Sequence, residues 1–305
     1  MVRKEGYINL DRELEKKGVD ITNIETILKS PFVKSEYEFD KSSILLKLDY
    51  DNETSYFKYS NNAISYNELL ANELARDFGF NVVEYDLAIL GNKKGVISKN
   101  FRKENVSYIT GEELLLDFGL NSLNDDSHNL ENIWDALEYR YRDHKNKREI
   151  IEKLMSRIVS LFIFDILLCQ NDRHSANWEI EESDNNIDIG PIYDNERMLS
   201  YTGKSAWVLM LVDGQDRNLR RNLEMFFKIS NENFSNLIVN KMWIISDKNI
   251  ESAIKRVEDK IGYSIPQDIR EYYLKEFRFH RITLKKILDN INRLESGEKN
   301  ARKNK

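Results

Sequence analysis

Between Ser42 and Tyr50 the chain reads SSILLKLDY, with Ile44, Leu46, Leu48 and Tyr50 at every second position. That period is the one a half-buried strand shows to a core. DNET follows as turn chemistry, and SYFKYS reads as the returning strand. The period then changes. In ISYNELLANELARDFGF, Leu70, Leu74 and Phe78 recur at fours, which predicts a helix, and Gly79 stands where a helix stops. NVVEYDLAIL and GVISKNF read as two more strands joined by GNKK. With a helix expected at the N-terminus, the first hundred residues predict a small sheet carrying one helix.

From Glu112 the periodicity is mostly helical, through GEELLLDFGL, LENIWDALEYRYRDH and the apolar SRIVSLFIFDILLCQ. One interruption stands out: WEIEE and IDIG look like short strands around the turn-like SDNN, and PIYDNE follows. Helix resumes from Ser205 to Leu294, and the basic ESGEKNARKNK reads as a frayed, solvated tail from about residue 295. The expected architecture is α+β and bilobal: residues 1–101 as a sheet-plus-helix lobe, residues 102–305 as a larger, mainly helical one.

A chain of 305 residues can bury a substantial core, and 41% hydrophobic with 32% charged residues is a globular composition. A net charge of −6 argues against a dedicated nucleic-acid binder, so no direct nucleic-acid partner is expected. The longest apolar run, Ile158 to Cys169, is too short and interrupted to span a bilayer, and MVRKEGYINLDRELEKKG holds no segment of signal-peptide length. No membrane association and a cytoplasmic location are therefore expected. The single cysteine, Cys169, excludes an intrachain disulfide, and His128, His144 and His280 show no zinc-ligand spacing.

The candidate chemistry sits in CQNDRHSANWEI, where a greasy helix gives way to Asp172, His174 and Asn177. Together with the hairpin and the aspartate of PIYD, this order suits phosphoryl transfer from ATP, which needs positioning and charge neutralisation more than covalent help. Asp172 is the candidate to orient the attacking hydroxyl and accept its proton. Asn177 and Asp194 are the candidate ligands of Mg²⁺, a hard cation that takes oxygen donors. Lys58, on a strand, is the candidate phosphate contact. Glu68 and Glu73 on the next helix are the acids that could aim it, and five positions apart they occupy different faces.

The run Asn171, Asp172, Arg173, His174, Asn177 resembles the catalytic loop of the HipA-like serine/threonine kinases and is similar to the D-R-H-x-x-N of phosphoinositide 3- and 4-kinases. PIYD resembles that family's metal-binding P-x-Y-D. NELLANELARDFGF is similar to its N-E helix pattern, which puts Glu68 at the acidic position. The resemblance implies a bilobal kinase fold binding ATP and Mg²⁺ between its lobes, with a protein serine or threonine as acceptor. It implies a toxin-type or signalling kinase with a cognate antitoxin or regulatory protein as partner. Autophosphorylation falls to Ser35, Ser42 or Ser43. EFDKSSILL resembles the family's divergent phosphate loop, which implies contacts from Lys41, Ser42 and the backbone at Ser43. Phe101 falls where the lobe-connecting segment meets adenine, and His174 is implied to orient the loop.

Competing readings exist for each residue. Asp172 and Asn177 could cap loop backbone as Asx residues do, and Lys58 could be a solvated strand lysine. A lipid or small-molecule kinase, and a pseudokinase-like binding module, are the functional alternatives.

Overall fold

The computed structural model describes residues 3–16, 33–37, 43–50, 53–60, 65–91, 93–120, 128–170, 172–184, 186–199 and 217–303. In chain order the elements are β1 (Arg3–Lys4), β2 (Tyr7–Asn9), α1 (Asp11–Lys16), β3 (Val33–Tyr37), β4 (Ser43–Tyr50), β5 (Glu53–Ser60), α2 (Tyr66–Phe78), β6 (Tyr85–Leu90) and β7 (Lys93–Lys99). There follow β8 (Ser107–Thr110), α3 (Gly111–Asp117), α4 (Leu130–Arg140), α5 (Lys147–Leu168), a 3₁₀ turn (Ser175–Asn177), β9 (Glu179–Ser183) and β10 (Asn186–Ile189). The last are α6 (Arg217–Ser230), α7 (Phe234–Lys241), a second 3₁₀ turn (Met242–Ile245), α8 (Asp247–Ile261) and α9 (Gln267–Lys303). The fold is α+β.

Packing separates two compact units. The first takes in residues 1–103 together with 192–196 and 251–270, stretches that a single division after Phe101 places in the second. Its sheet has seven strands in the order β1-β2-β6-β7-β5-β4-β3. The alternation read from SSILLKLDY is present: Leu46 and Leu48 are buried, while Leu45 and Lys47 are only partly covered. On β5, Phe57 and Tyr59 join Leu46, Leu48, Ala88, Leu90 and Ile97 in one core with Ile8, Leu10 and Leu14. By the two-residue period Lys58 lies on the opposite face. Close approach of β7 to β5 requires Gly95, because an added Cβ would lie 2.2 Å from the Lys58 carbonyl oxygen and 3.0 Å from the Phe57 ring.

The N-terminus differs from expectation. Strands β1 and β2 precede a helix of only six residues, and β2 pairs in parallel with β6. Residues 3–9 are short and carry little periodicity, so their strand identity comes from pairing with the sheet edge rather than from local pattern.

Helix α2 packs against β6 and ends at Gly79, whose φ of 99° is left-handed and whose N–H returns to Ala75 and Arg76. Its outer turns are braced by residues 251–270 of the same unit. Arg256 donates to Glu73 and to Asp77, both at 2.7 Å, and Lys260 to Glu84 at 2.7 Å.

The second unit is built around α5, buried along most of its length. Strands β9 and β10 form the expected hairpin, and β8 adds a third strand through Ile109 opposite Ile180. Thr110 then starts α3 with a full capping box to Glu113. Helix α9 stays helical to Lys303, through residues expected to fray. The expected helical start from Ser205 to residue 216 lies outside the described residues.

Replacing Gly95 by Ala is expected to lower stability by about 1–3 kcal/mol through overpacking against β5. Gly79→Ala, with open space around its Cβ but a left-handed φ, should cost about 1 kcal/mol. Urea midpoints of the two variants, compared at equal m, check the ranking.

Candidate active site

Lys58 projects from β5 into a group of carboxylates delivered by two separate segments of the first unit. Glu68, in the first turn of α2, places Oε1 3.5 Å from the ammonium. Asp194 accepts a direct hydrogen bond from it, and Glu196 Oε2 lies 3.2 Å away. Residues 192–196 reach this position because Ile192 bridges to Val82: the Val83 N–H donates to Ile192 O at 3.0 Å and the Ile192 N–H to Asn81 O at 2.8 Å. Two bonds then tie the segment to α2, from the Asn195 N–H to Glu68 Oε2 at 2.8 Å and from Asn67 Nδ2 to the Glu196 carbonyl at 2.6 Å. Asp194 itself has φ of 60°, a left-handed conformation costly for a residue with a Cβ.

The electrostatics follow. Burial works against the Lys58 charge, but Asp194, Glu68 and Glu196 hold its pKa well above the ordinary lysine value, so it is an ammonium at all physiological pH. Burial pushes Glu68 up to about 7; Lys58 opposes that rise and the neighbouring carboxylates of Asp194 and Glu196 add to it. The carboxylate oxygens of Glu68, Asp194 and Glu196 lie within 4.8 Å of one another. An all-oxygen, negatively charged donor set of this kind fits Mg²⁺.

In the second unit, α5 ends at Cys169 in a left-handed conformation, with the Gln170 N–H returning to Asp165 O at 2.8 Å. The loop that follows is organised by a buried ion pair. Arg173 and Asp165 both have side chains with no exposed surface, and Arg173 Nε and Nη2 each come within 3.2 Å of the carboxylate. Arg173 Nη1 also donates to the Asn177 carbonyl at 2.9 Å. Burial raises Asp165 to about 6 and Arg173 offsets part of that rise, leaving the carboxylate charged at neutral pH.

On this frame Asn177 Nδ2 donates to the Asp172 carbonyl at 2.8 Å, which does not use the amide oxygen that a hard cation would take. The Ala176 N–H donates to His174 Nδ1 at 3.3 Å, an orienting contact. Asp172 Oδ2 lies 3.3 Å from Arg197 Nε. Gly111 at the start of α3 backs the loop, since a Cβ there would lie 2.3 Å from the Trp178 ring and 2.8 Å from Ser175 O.

A family model, HipA-like C-terminal domain, matches residues 24–264. The chain belongs to this HipA-like family. Among solved structures it is similar to a Helicobacter pylori proinflammatory kinase, CtkA, with a TM-score of 0.55 at 17% identity over 86% of this chain and 98% of that one. It is also similar to HipA of Shewanella oneidensis MR-1, solved in a toxin–antitoxin complex with HipB and operator DNA, with a TM-score of 0.57 at 14% identity over 93% of this chain and 72% of that one. A search of curated proteins finds no match. The kinase-like α+β fold is thus shared with both structures, and at such identities the likeness concerns fold alone.

In this HipA-like chain the structure brings together Lys58, Glu68 and Asp194 in one unit, and Asp172, His174 and Asn177 in the other. Glu73 takes a different partner set, Arg256 and Arg76, which separates it from the Lys58 cluster. Phe101 packs against Tyr193 at 5.7 Å between ring centroids, next to Asp194 in sequence. Ser43 opens β4 opposite Ser60, and Ser35 lies on β3 opposite Leu46. Lys41, Ser42 and Asn171 lie outside the described residues. The Asx-capping reading has a real basis, in that Asn177 does cap loop backbone. The solvated reading of Lys58 does not describe a lysine held by three acids.

Sequence reasoning passed over Glu196, Asp165 and Arg197. Glu196 follows PIYD by two residues, a spacing that could have marked it. Asp165 is the lone acid in SLFIFDILLC, and a carboxylate inside an apolar helix asks for a buried cation.

Removing either partner of the buried pair, by Arg173→Met or Asp165→Leu, is expected to cost about 3–5 kcal/mol by stranding the other charge. The double variant should recover most of that in urea unfolding while the loop loses its anchor at the Asn177 carbonyl. A pH effect comes from His128, whose Nε2 accepts the Trp178 indole N–H at 3.0 Å and whose pKa burial depresses to about 3. Below the unfolded value near 6.5, the unfolded chain takes up a proton that folded His128 refuses, so stability falls by up to about 1.4 kcal/mol per pH unit. Asp165, raised in the folded state, acts in the opposite sense below pH 6. Comparing pH 7 and pH 5 urea midpoints of the parent and His128→Gln isolates the histidine, and the variant should show the weaker loss in acid.

Proposed function

We propose that this HipA-like chain is an ATP- and Mg²⁺-dependent kinase that transfers the γ-phosphoryl group to a serine or threonine of a protein. The observation that carries this reading is Lys58 gripped by both Glu68 and Asp194: an ammonium on a strand, aimed by an acid from the following helix and paired with the aspartate of PIYD. Phosphoryl transfer needs such a fixed positive charge at the phosphates.

In this reading Lys58 binds the nucleotide phosphates and Glu68 holds its direction. Asp172 orients the acceptor hydroxyl and takes its proton, His174 and Arg173 keep the loop in shape, and Asn177 and Asp194 supply oxygen ligands. Bound Mg²⁺ would neutralise charge on the phosphates. Lys41, Ser42 and the Ser43 backbone are assigned to phosphate and Phe101 to the base, as the family resemblance implies. The same resemblance points to Ser35, Ser42 or Ser43 as autophosphorylation sites. A regulatory protein of antitoxin type is the proposed partner, supported by the Shewanella HipA having been solved with HipB. Among the described residues no helix is long and apolar enough to cross a membrane.

Thermal shift with ATP and Mg²⁺, followed by mass spectrometry for phosphosites, tests the whole assignment. Asp172→Asn should retain the ATP-dependent shift yet lose about 10²- to 10⁴-fold in transfer, the worth of a positioned base. Lys58→Met should lose both. Transfer by Asp172→Asn at the parent rate overturns its role. Stabilisation by ATP without transfer to protein marks the binding-module alternative, and labelling of phosphoinositide vesicles instead of protein marks the lipid-kinase one.

A further inference from the structure

The Lys58 cluster contains more negative charge than one ammonium can balance. Glu68 aims the lysine and Asp194 is the aspartate of PIYD assigned to the metal, whereas Glu196, whose carboxylate lies within 4.8 Å of theirs, is the third acid and has so far been given no task of its own. Its carboxylate is 3.2 Å from Nζ and its side chain is only 14% exposed. Its carbonyl is held by Asn67, the residue before Glu68 on α2, so the helix that supplies the bridging acid also fixes this second competitor.

Such a lysine is not yet available to a phosphate. To reach one, the ammonium must exchange carboxylate oxygens for phosphate oxygens, and a polyanion must approach a surplus of like charge. A divalent cation held by Asp194 and Glu196 would offset that surplus, and Lys58 would then be free to turn to the nucleotide.

We propose that Glu196 is a positioning residue that couples nucleotide binding to divalent metal: it holds Lys58 in the metal-free protein and gives it up when the cation is present. This rests on the kinase reading above. Hydrogen bonding by Asn67 keeps the competitor in place, and Asp194, its left-handed backbone fixed between Tyr193 and Asn195, stays beside the lysine in either state.

The test is calorimetric titration of the full chain with ATP, in EDTA and in saturating MgCl₂. In the parent, Kd in EDTA should exceed Kd in Mg²⁺ by a large ratio. Glu196→Gln should lower that ratio about tenfold, because one opposing charge near the phosphates is gone. Glu196→Asp, which keeps the charge, should restore most of it and serves as the measurement if the glutamine variant does not fold. A merely structural side chain would weaken both titrations together and leave the ratio alone. An unchanged ratio in a folded Glu196→Gln that still binds ATP overturns the role of Glu196 while the kinase reading stands. Absence of ATP binding by the parent in both conditions removes the kinase reading itself, and this inference with it.

Discussion

A lysine can stay charged on a largely covered strand only if acids are brought to it, and that requirement organises the first unit. Lys58 lies on the face of β5 opposite the Phe57 core, where no apolar neighbour could compensate its charge. Glu68 arrives by chain proximity, through a helix that begins eight positions after the lysine itself and whose first turn carries the acid. Asp194 and Glu196 arrive from a distant segment, which has to be stitched to the stretch before β6 to deliver them. Helix α2 is fixed further along by Arg256, which pairs with Glu73 and Asp77, so the helix bearing the acid at position 68 is held at both ends: by the lysine and by an ionic brace.

The second unit solves a different problem by similar means. Its loop must hold polar side chains in place directly after a helix whose last stretch, Leu161–Leu168, is wholly buried. Asp165 and Arg173 do this together, the acid within the helix and the guanidinium within the loop, each neutralising the other where water is excluded. The pair also spends one guanidinium N–H on the Asn177 carbonyl, which carries the helix geometry through to the residue assigned to the metal. Side-chain chemistry and backbone shape are thereby set by one contact.

Much of this was legible in the chain. Period-2 alternation located β4 and β5, spacing at fours located α2 with its stop at Gly79, and the hairpin after Asn177 was visible between turn residues. What could not be read were features decided by tertiary partners. Strands β1 and β2 are too short for a period, and β8 is a strand because β9 lies beside it. Helical spacing alone does not separate Glu68 from Glu73, and the preference for Glu68 comes from the resemblance of the N-E pattern; in the structure Lys58 and Arg256 take different acids. The long-range partners of Lys58 were partly legible, because the PIYD aspartate stands in a recognisable pattern while the glutamate two residues later does not.

The split composition of the first unit has a consequence for how the protein comes into being. Ribosomes deliver the sheet and Lys58 early, but the acids at 194 and 196 emerge more than a hundred residues later, and the brace at Arg256 later still. Until then the nascent lysine has only Glu68 for company. A polypeptide arrested midway through synthesis therefore exposes Lys58 without its long-range acids, and the cluster with its brace is complete only once residue 256 has left the ribosome.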